Sequence, residues 1–188
     1  MQILKIGHPK LRSIAHPISP IDREIQRLIE RLLATIEREN GVGIAAPQVS
    51  RSFRLFIVAS RPNPRYPDAP SMKPTAMINP QIITTSEEKV FGWEGCLSVP
   101  NIRGRVPRYQ TIEVEYLDRN GDLCHDRLTD FVARIFQHEY DHLEGVLFPD
   151  RIETSQDLVS EKEFFDRIVP AQLSSKAPSL SPGQKSGQ

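Results

Sequence analysis

The feature that most constrains the fold is an HExxH motif, Gln137-His138-Glu139-Tyr140-Asp141-His142, which directly follows the apolar residues of a predicted helix. Residues at positions i and i+4 share one helix face, so His138 and His142 can hold one metal ion between their ring nitrogens. Glu139 would lie beside that ion as a general base. A short pattern also occurs by chance, so a solvated helix without a metal remains the alternative.

The elements around the motif predict an α+β fold with largely antiparallel sheet. Ser19-Pro20 predicts the start of a first helix, and residues 53–59 form an apolar run typical of a buried strand. Residues 111–116 alternate between polar and apolar before a turn, which predicts a β-hairpin. A last amphipathic helix is predicted over residues 155–168. The motif helix therefore lies in a compact single domain, largely buried among antiparallel strands.

Length and composition favour one catalytic domain over residues 1–169, followed by a polar tail over 170–188 that we expect to be disordered. The 188 residues include 24 acidic and 24 basic side chains, so no strong field attracts nucleic acid or anionic lipid. No apolar stretch is long enough to span a bilayer, and the N-terminus lacks the pattern of a signal peptide. We therefore expect a cytoplasmic protein that binds neither nucleic acid nor membrane.

A catalytic metal usually takes three protein ligands, so a third must come from outside the motif. Cys96 is the best candidate, because Gly95 and Pro100 bracket a tight segment unlike a core strand. A lone cysteine is otherwise more often a small buried hydrophobe. Cys124 lies in the alternating strand and is predicted to be structural. The remaining histidines have no second ligand at helical spacing and are predicted to be surface or packing residues: His8, His16 and His125.

A third segment, Gly41-Val42-Gly43-Ile44-Ala45-Ala46-Pro47-Gln48, carries small residues that permit close backbone approach and ends in a side-chain amide. With Glu94-Gly95-Cys96-Leu97-Ser98 and the HExxH segment, it resembles the peptide deformylases, whose motifs GxGxAAxQ, EGCxS and QHExDH occur in this order. All three match without substitution, and the resemblance extends over about residues 3–152. It implies a compact α+β domain with antiparallel strands around the helix that carries both histidines.

The resemblance implies that Cys96, His138 and His142 bind one divalent metal ion, generally Fe²⁺ in this family, with Ni²⁺, Co²⁺ or Zn²⁺ able to substitute. It implies hydrolysis of the N-formyl group on the initiator methionine of nascent chains, with release of formate. Glu139 would take a proton from the attacking water and deliver it to the departing nitrogen. The Gln48 side-chain amide and the Leu97 backbone N–H would stabilise the developing oxyanion.

The resemblance identifies the substrate-binding residues less specifically than the metal ligands. Val42, Phe131 and Ile135 suit an apolar pocket for methionine, but ordinary core positions have the same character. The backbone of Gly43 could pair with the peptide as an added strand, and Arg103 could orient nearby carboxylates or be a surface charge. Residues 61–74 form a proline-rich loop that borders the cleft or only covers a sheet edge.

Gln137 and Asp141 are expected to orient the ligands from behind rather than to act in catalysis. The segment from Glu153 to Arg167 has more acidic than basic residues, so any association with the ribosome should be transient. An HExxH metallopeptidase, with Glu144 or Asp150 as a downstream ligand, and a non-catalytic metal-stabilised binding protein are the alternatives.

Overall fold

The computed structural model describes residues 1–171. The elements follow in chain order: α1 (Arg23–Arg38), β1 (Gly43–Ala45), β2 (Leu55–Val58), β3 (Thr75–Thr85), β4 (Lys89–Cys96), β5 (Val99–Tyr109), β6 (Thr111–Leu117), β7 (Leu123–Thr129), α2 (Asp130–Leu143), β8 (Leu158–Ser160) and α3 (Glu161–Glu163), which continues as a π-helix over Phe164–Ile168. Single 3₁₀ turns form at Pro9–Arg12, Ala46–Val49, Phe148–Arg151 and Ser155–Asp157. The mixture of helices and strands confirms the predicted α+β class.

The strands form two antiparallel sheets. The larger sheet has the order β1-β2-β3-β6-β7, and the smaller has the order β4-β5-β8. The predicted hairpin is confirmed, because β6 and β7 pair in unbroken register from Thr111 opposite Thr129 to Leu117 opposite Leu123. Strand β1 lies at an edge of the larger sheet.

Helix α2 carries the HExxH motif and contacts strands of both sheets. Its residues Ala133 and Phe136 are fully buried, and the Phe136 ring meets Phe56 of β2 edge to face with 5.1 Å between centroids. Helix α1 covers the larger sheet through a separate core that includes Ile29, Leu32 and Leu55. Burial of the apolar residues of α2 in the second core fixes the orientation of this helix and thereby the direction in which its histidines point.

Two predicted helix limits are wrong. Helix α1 begins at Arg23, not at Ser19-Pro20, because the Asp22 carboxylate caps it by accepting hydrogen bonds from the backbone N–H groups of Glu24 and Ile25. The helix predicted over residues 155–168 begins only at Glu161, because Leu158–Ser160 pair with the edge of β5. Helical structure then continues through Pro170.

Most of the tail predicted over residues 170–188 lies outside the described residues. Within residues 1–171, no helix has the length and apolar character needed to cross a membrane.

Candidate metal centre and substrate cleft

The three predicted ligands converge, although Cys96 and the histidines lie on different elements. Cys96 ends β4 where the chain turns into β5, and His138 and His142 lie one turn apart on α2. Their candidate ligand atoms all lie within 4.8 Å of one another, and Cys96 Sγ is 3.2 Å from His142 Nε2. One sulfur and two imidazoles are donors suited to a divalent transition metal, with a fourth position left for water or substrate.

The environment of Cys96 favours the thiolate, which is the form that binds metals. Burial alone would raise the pKa of the Cys96 thiol, but the charges and hydrogen bonds of His142 and His138 outweigh burial and lower it well below its usual value. The Ser98 backbone N–H and the Gln48 side-chain amide each lie 3.4 Å from the sulfur. The residues present therefore fit a bound divalent ion.

Glu94 orients His138. Its Oε2 lies 2.9 Å from His138 Nδ1, and since a carboxylate can only accept, Nδ1 carries the proton and Nε2 remains available as a ligand atom. Glu94 also accepts hydrogen bonds from Arg108 at 2.9 and 3.0 Å and from Arg134 at 2.9 Å. Burial would raise the pKa of Glu94, but the Arg108 charge and the hydrogen bonds from His138 and Arg108 hold it well below its usual value.

The arginines of this cluster were missed by the sequence reasoning. Arg134 did carry a signal, since it precedes His138 by one helical turn and therefore shares its face. Arg108 carried none, because nothing in the sequence of β5 indicates a buried cation.

Gln137 and Asp141 connect α2 to β5 through hydrogen bonds. The Gln137 side chain accepts from the Tyr109 backbone N–H at 3.0 Å and donates to its carbonyl at 2.9 Å. Asp141 accepts from Arg108 at 2.6 Å and from Arg151 at 2.7 Å. These bonds restrain the register of the helix that carries both histidine ligands.

The surroundings of Glu139 differ from those of Glu94. It is buried, and within residues 1–171 its Oε2 has no hydrogen-bond partner. Gly43 of β1 lies directly against it, so that a Cβ at that position would overlap the carboxylate. Burial raises the pKa of Glu139 to about 7. Such a carboxyl group can both accept and release a proton near neutral pH.

The predicted oxyanion donors adjoin the ligands. Gln48 lies in the 3₁₀ turn Ala46–Val49, where its Oε1 accepts from the Ala45 backbone N–H at 2.8 Å. This bond turns its amide NH₂ towards Ser98 Oγ, at 3.1 Å, and towards Cys96 Sγ. Leu97 follows Cys96 directly and lines the same cavity as Gln48.

A cavity of about 200 Å³ opens beside the centre, and every residue predicted to contact substrate lines it: Val42, Gly43, Arg103, Phe131 and Ile135. Ile135 is also buried in the core around α2. The pocket and core interpretations are therefore compatible, since the cavity wall is the outer layer of the core.

The proline-rich loop borders this cleft. Its residues Arg65 and Tyr66 line the cavity, and the Tyr66 ring packs against Phe131 with 4.8 Å between centroids. Trp93 and Glu161 line it as well. Sequence reasoning allowed the loop over residues 61–74 to border the cleft, but it did not identify these four residues, because their contacts depend on how distant segments meet.

The residues considered as alternative metal ligands form contacts away from the histidines. Glu144 pairs with Arg54 at 2.6 Å, and Asp150 pairs with Arg12. Cys124 is a free cysteine on β7, and His125 lies 3.2 Å from Glu115 on the neighbouring strand. Within the described chain, the cluster that could hold a metal consists of Cys96, His138 and His142.

Comparisons with known proteins find similar chains over most of the sequence. A family model described as polypeptide deformylase matches residues 1–157. Peptide deformylase 2 of Nostoc sp. is 62% identical over 170 residues, which cover 90% of this chain and 95% of that protein. The Met-Ala-Ser-bound class I type b peptide deformylase of Acinetobacter baumannii superposes with a TM-score of 0.79 at 48% identity, covering 81% of this chain and 98% of that one. An actinonin complex of the Synechococcus elongatus enzyme superposes with a TM-score of 0.74 at 34% identity, covering 84% and 81%.

Proposed function

The chain belongs to the peptide deformylase family, and on that premise we propose how its residues remove the N-formyl group from N-formylmethionyl nascent peptides. The enzyme is a metal-dependent hydrolase, and it adds water across the formyl C–N bond to give formate and a free amine. One observation supports these roles above all. Cys96, His138 and His142 lie together at one wall of a cleft that also contains the buried carboxylate of Glu139.

Cys96, His138 and His142 hold the metal ion. When bound, the ion supplies Lewis-acid activation of water and of the formyl carbonyl. We propose Fe²⁺ as the native ion, with Ni²⁺, Co²⁺ or Zn²⁺ able to replace it. The sulfur and two imidazole donors are compatible with each of these ions. The choice of Fe²⁺ therefore rests on the ion that is general in the family.

Glu139 is the general base and then the general acid. Its carboxylate takes a proton from the attacking water as the new C–O bond forms, and it gives that proton to the nitrogen as the C–N bond breaks. Its burial and its unpaired Oε2 support this role, because a carboxylate already engaged in ion pairs is a poor proton carrier.

Gln48 and Leu97 supply the donors for the oxyanion that develops on the formyl oxygen. The Gln48 amide is fixed by its bond to Ala45 N–H, so its NH₂ group is oriented before substrate binds. Preorganised donors of this type stabilise the transition state more than the ground state.

The peptide lies along β1. This strand is at the edge of the larger sheet and reaches the cleft at Gly43, so the backbone of the substrate can add to it as a further strand. Val42, Phe131 and Ile135 line the part that receives the methionine side chain. The related enzyme bound to Met-Ala-Ser supports a peptide of this length in the cleft.

We propose that residues 1–169 form the catalytic domain and act in the cytoplasm, where nascent chains emerge. Contact with the ribosome is transient, because the described C-terminal helix alternates acidic and basic residues and pairs Lys162 with Asp166 and Arg167 with Glu163. Such a helix has no basic face for phosphate.

The test is formate release from formyl-Met-Ala-Ser by protein purified anaerobically, with metal content measured on each sample. The wild type should turn over, whereas metal-loaded Glu139→Ala should lose about a hundredfold or more in kcat. Glu144→Ala, at the end of the same helix and paired with Arg54 among residues 1–171, is the matched control and should remain active. Inactive wild type with a full complement of metal would refute the assignment.

The same samples also test the alternative that the protein is an HExxH metallopeptidase. A metallopeptidase would cleave the Met–Ala or Ala–Ser bond, which mass spectrometry distinguishes from loss of the formyl group. The engagement of Glu144 and Asp150 by arginines already disfavours a downstream third ligand.

A further inference from the structure

The segment after residue 157 forms part of the cleft, although it lies beyond the residues that match the family model. Strand β8 pairs with β5, placing Val159 opposite Arg103. The following helix buries Phe164, whose ring lies 5.7 Å from that of Trp93, another cavity residue. These two contacts hold the first turn of α3 against the cleft.

Glu161 in that turn meets two arginines from different segments. Its carboxylate forms an ion pair with Arg103 of β5 and lies 4.0 Å from Arg65 of the proline-rich loop. All three side chains line the cavity. The Arg103 side chain is only 7% exposed, whereas those of Glu161 and Arg65 are 32% and 34% exposed. The buried cation therefore has a partner that solvent and substrate can also reach.

Arg103 is held close to the metal-ligand segment. Its guanidinium lies directly against Gly95, where a Cβ would overlap it, and it lies over the Phe164 ring at 5.7 Å from the centroid. Within residues 1–171 its buried Nε has no hydrogen-bond partner. An unmade hydrogen bond at a buried donor is unfavourable, so Arg103 retains one donor beyond its ion pair with Glu161.

The charges at this end of the cleft do not balance. Arg103 and Arg65 share the carboxylate of Glu161. Lys5, which donates to the Leu97 carbonyl at 2.7 Å, lines the same cavity. Glu161 is thus the group that limits an otherwise basic surface. A substrate side chain here would experience attraction or repulsion according to its own charge.

We propose that Arg103, Arg65 and Glu161 form a subsite for the residues that follow the formylmethionine, and that Glu161 sets its charge preference. The proposal rests on the proposed function of the cleft. The subsite favours peptides with an acidic side chain over those with a basic one, and Glu161 keeps that preference small so that neutral sequences are accepted. Neutralising Glu161 strengthens the preference for acidic peptides, and neutralising Arg65 weakens it.

The experiment uses C-terminally amidated peptides of the form formyl-Met-Xaa-Ser and formyl-Met-Ala-Xaa, with Xaa as Asp, Ser or Lys. At low salt, Glu161→Gln should raise the Asp-to-Lys ratio of kcat/KM by about fivefold in at least one series, chiefly through KM. Arg65→Gln should lower the ratio. Raising the salt concentration should reduce both effects. Inhibition by the unformylated product peptides gives a second readout that does not depend on turnover.

Glu163→Gln is the matched control, since Glu163 belongs to the same turn but pairs with Arg167 and does not line the cavity. Thermal unfolding of each variant shows whether the fold is retained. An Asp-to-Lys ratio that is unchanged in both Glu161→Gln and Arg65→Gln would overturn the proposal, even with normal activity on the serine peptides. Lack of activity on the serine peptides by wild type would instead refute the proposed function.

Discussion

Two buried glutamates near the same histidine have opposite surroundings. Glu94 contacts His138 Nδ1 and accepts hydrogen bonds from Arg108 and Arg134. Burial would raise its pKa, but Arg108 and His138 keep it low. Glu139, the next residue after His138, has an unpaired oxygen within the described chain, and burial raises its pKa to about 7. Burial alone disfavours the charged form of both groups, so the cationic partners make the difference. One carboxylate is thereby fixed as a charge, and the other can exchange a proton.

The largest expected effect concerns stability. Each glutamate is replaced by glutamine in turn, and the free energy of unfolding is measured in urea at pH 7. Glu94→Gln should lower the free energy of unfolding by about 3 kcal/mol, because it leaves two buried arginines with less compensation. Arg108 keeps its bond to Asp141, which limits the loss. Glu139→Gln should leave the free energy of unfolding unchanged or raise it, because it removes a poorly solvated carboxylate and no ion pair. Equal losses in the two variants would contradict the contrast.

The pH dependence of stability should separate the two groups next. The pKa of Glu139 is raised in the folded protein, so its contribution is fully present below the unfolded pKa, near 4.5, and is lost as pH rises through about 7. Between pH 5 and pH 8, metal-free wild type should therefore lose about 2 kcal/mol relative to Glu139→Gln. Glu94, with a lowered pKa, contributes above its unfolded pKa and should show no change in this range. Urea titrations of chelator-treated protein provide the measurement, and parallel curves for wild type and Glu139→Gln would exclude the raised pKa.

The smallest expected effect concerns the position of Glu139 rather than its charge. In Gly43→Ala, the new methyl group would overlap the carboxylate and lie 2.9 Å from Ile135 Cγ2, so Glu139 must shift. Displacement of a proton-transfer group should lower kcat by about tenfold to hundredfold with little loss of metal. Gly41→Ala is the control, since its nearest neighbour is Ile36 Cγ1 at 3.1 Å, away from the carboxylate. Similar kinetics in the two variants would show that the carboxylate tolerates the shift.

The parts of this protein that were predictable from sequence depend on short-range patterns. The spacing of His138 and His142 requires only helical geometry, and the alternating residues of β6 and β7 require only a half-buried sheet. Cys96 was identified because a tight glycine-containing segment made a core role less suitable. Each of these signals is local in the sequence.

What the sequence did not reveal depends on contacts between distant segments, except for the start of α1, which depends on a local cap. The start of α1 was misplaced because proline at Ser19-Pro20 resembles a helix start, whereas the Asp22 carboxylate provides the actual cap. The strand Leu158–Ser160 appeared helical because its pairing with β5 leaves no local pattern in three residues. Arg108 was missed for the same reason, since its partners Glu94 and Asp141 come from β4 and α2.

The close packing of Arg103 on Gly95 gives the glycine of the Glu94-Gly95-Cys96 motif a meaning in evolutionary terms. Gly95 does not have the positive φ angle that requires glycine, yet any larger side chain would overlap the arginine. The two positions therefore form a coupled pair: while the Arg103 guanidinium keeps its place, position 95 has room only for glycine. A lineage that replaced Arg103 with a short residue would release that constraint, and alanine could then enter the motif. Part of the information in this short sequence signature thus belongs to a residue outside it.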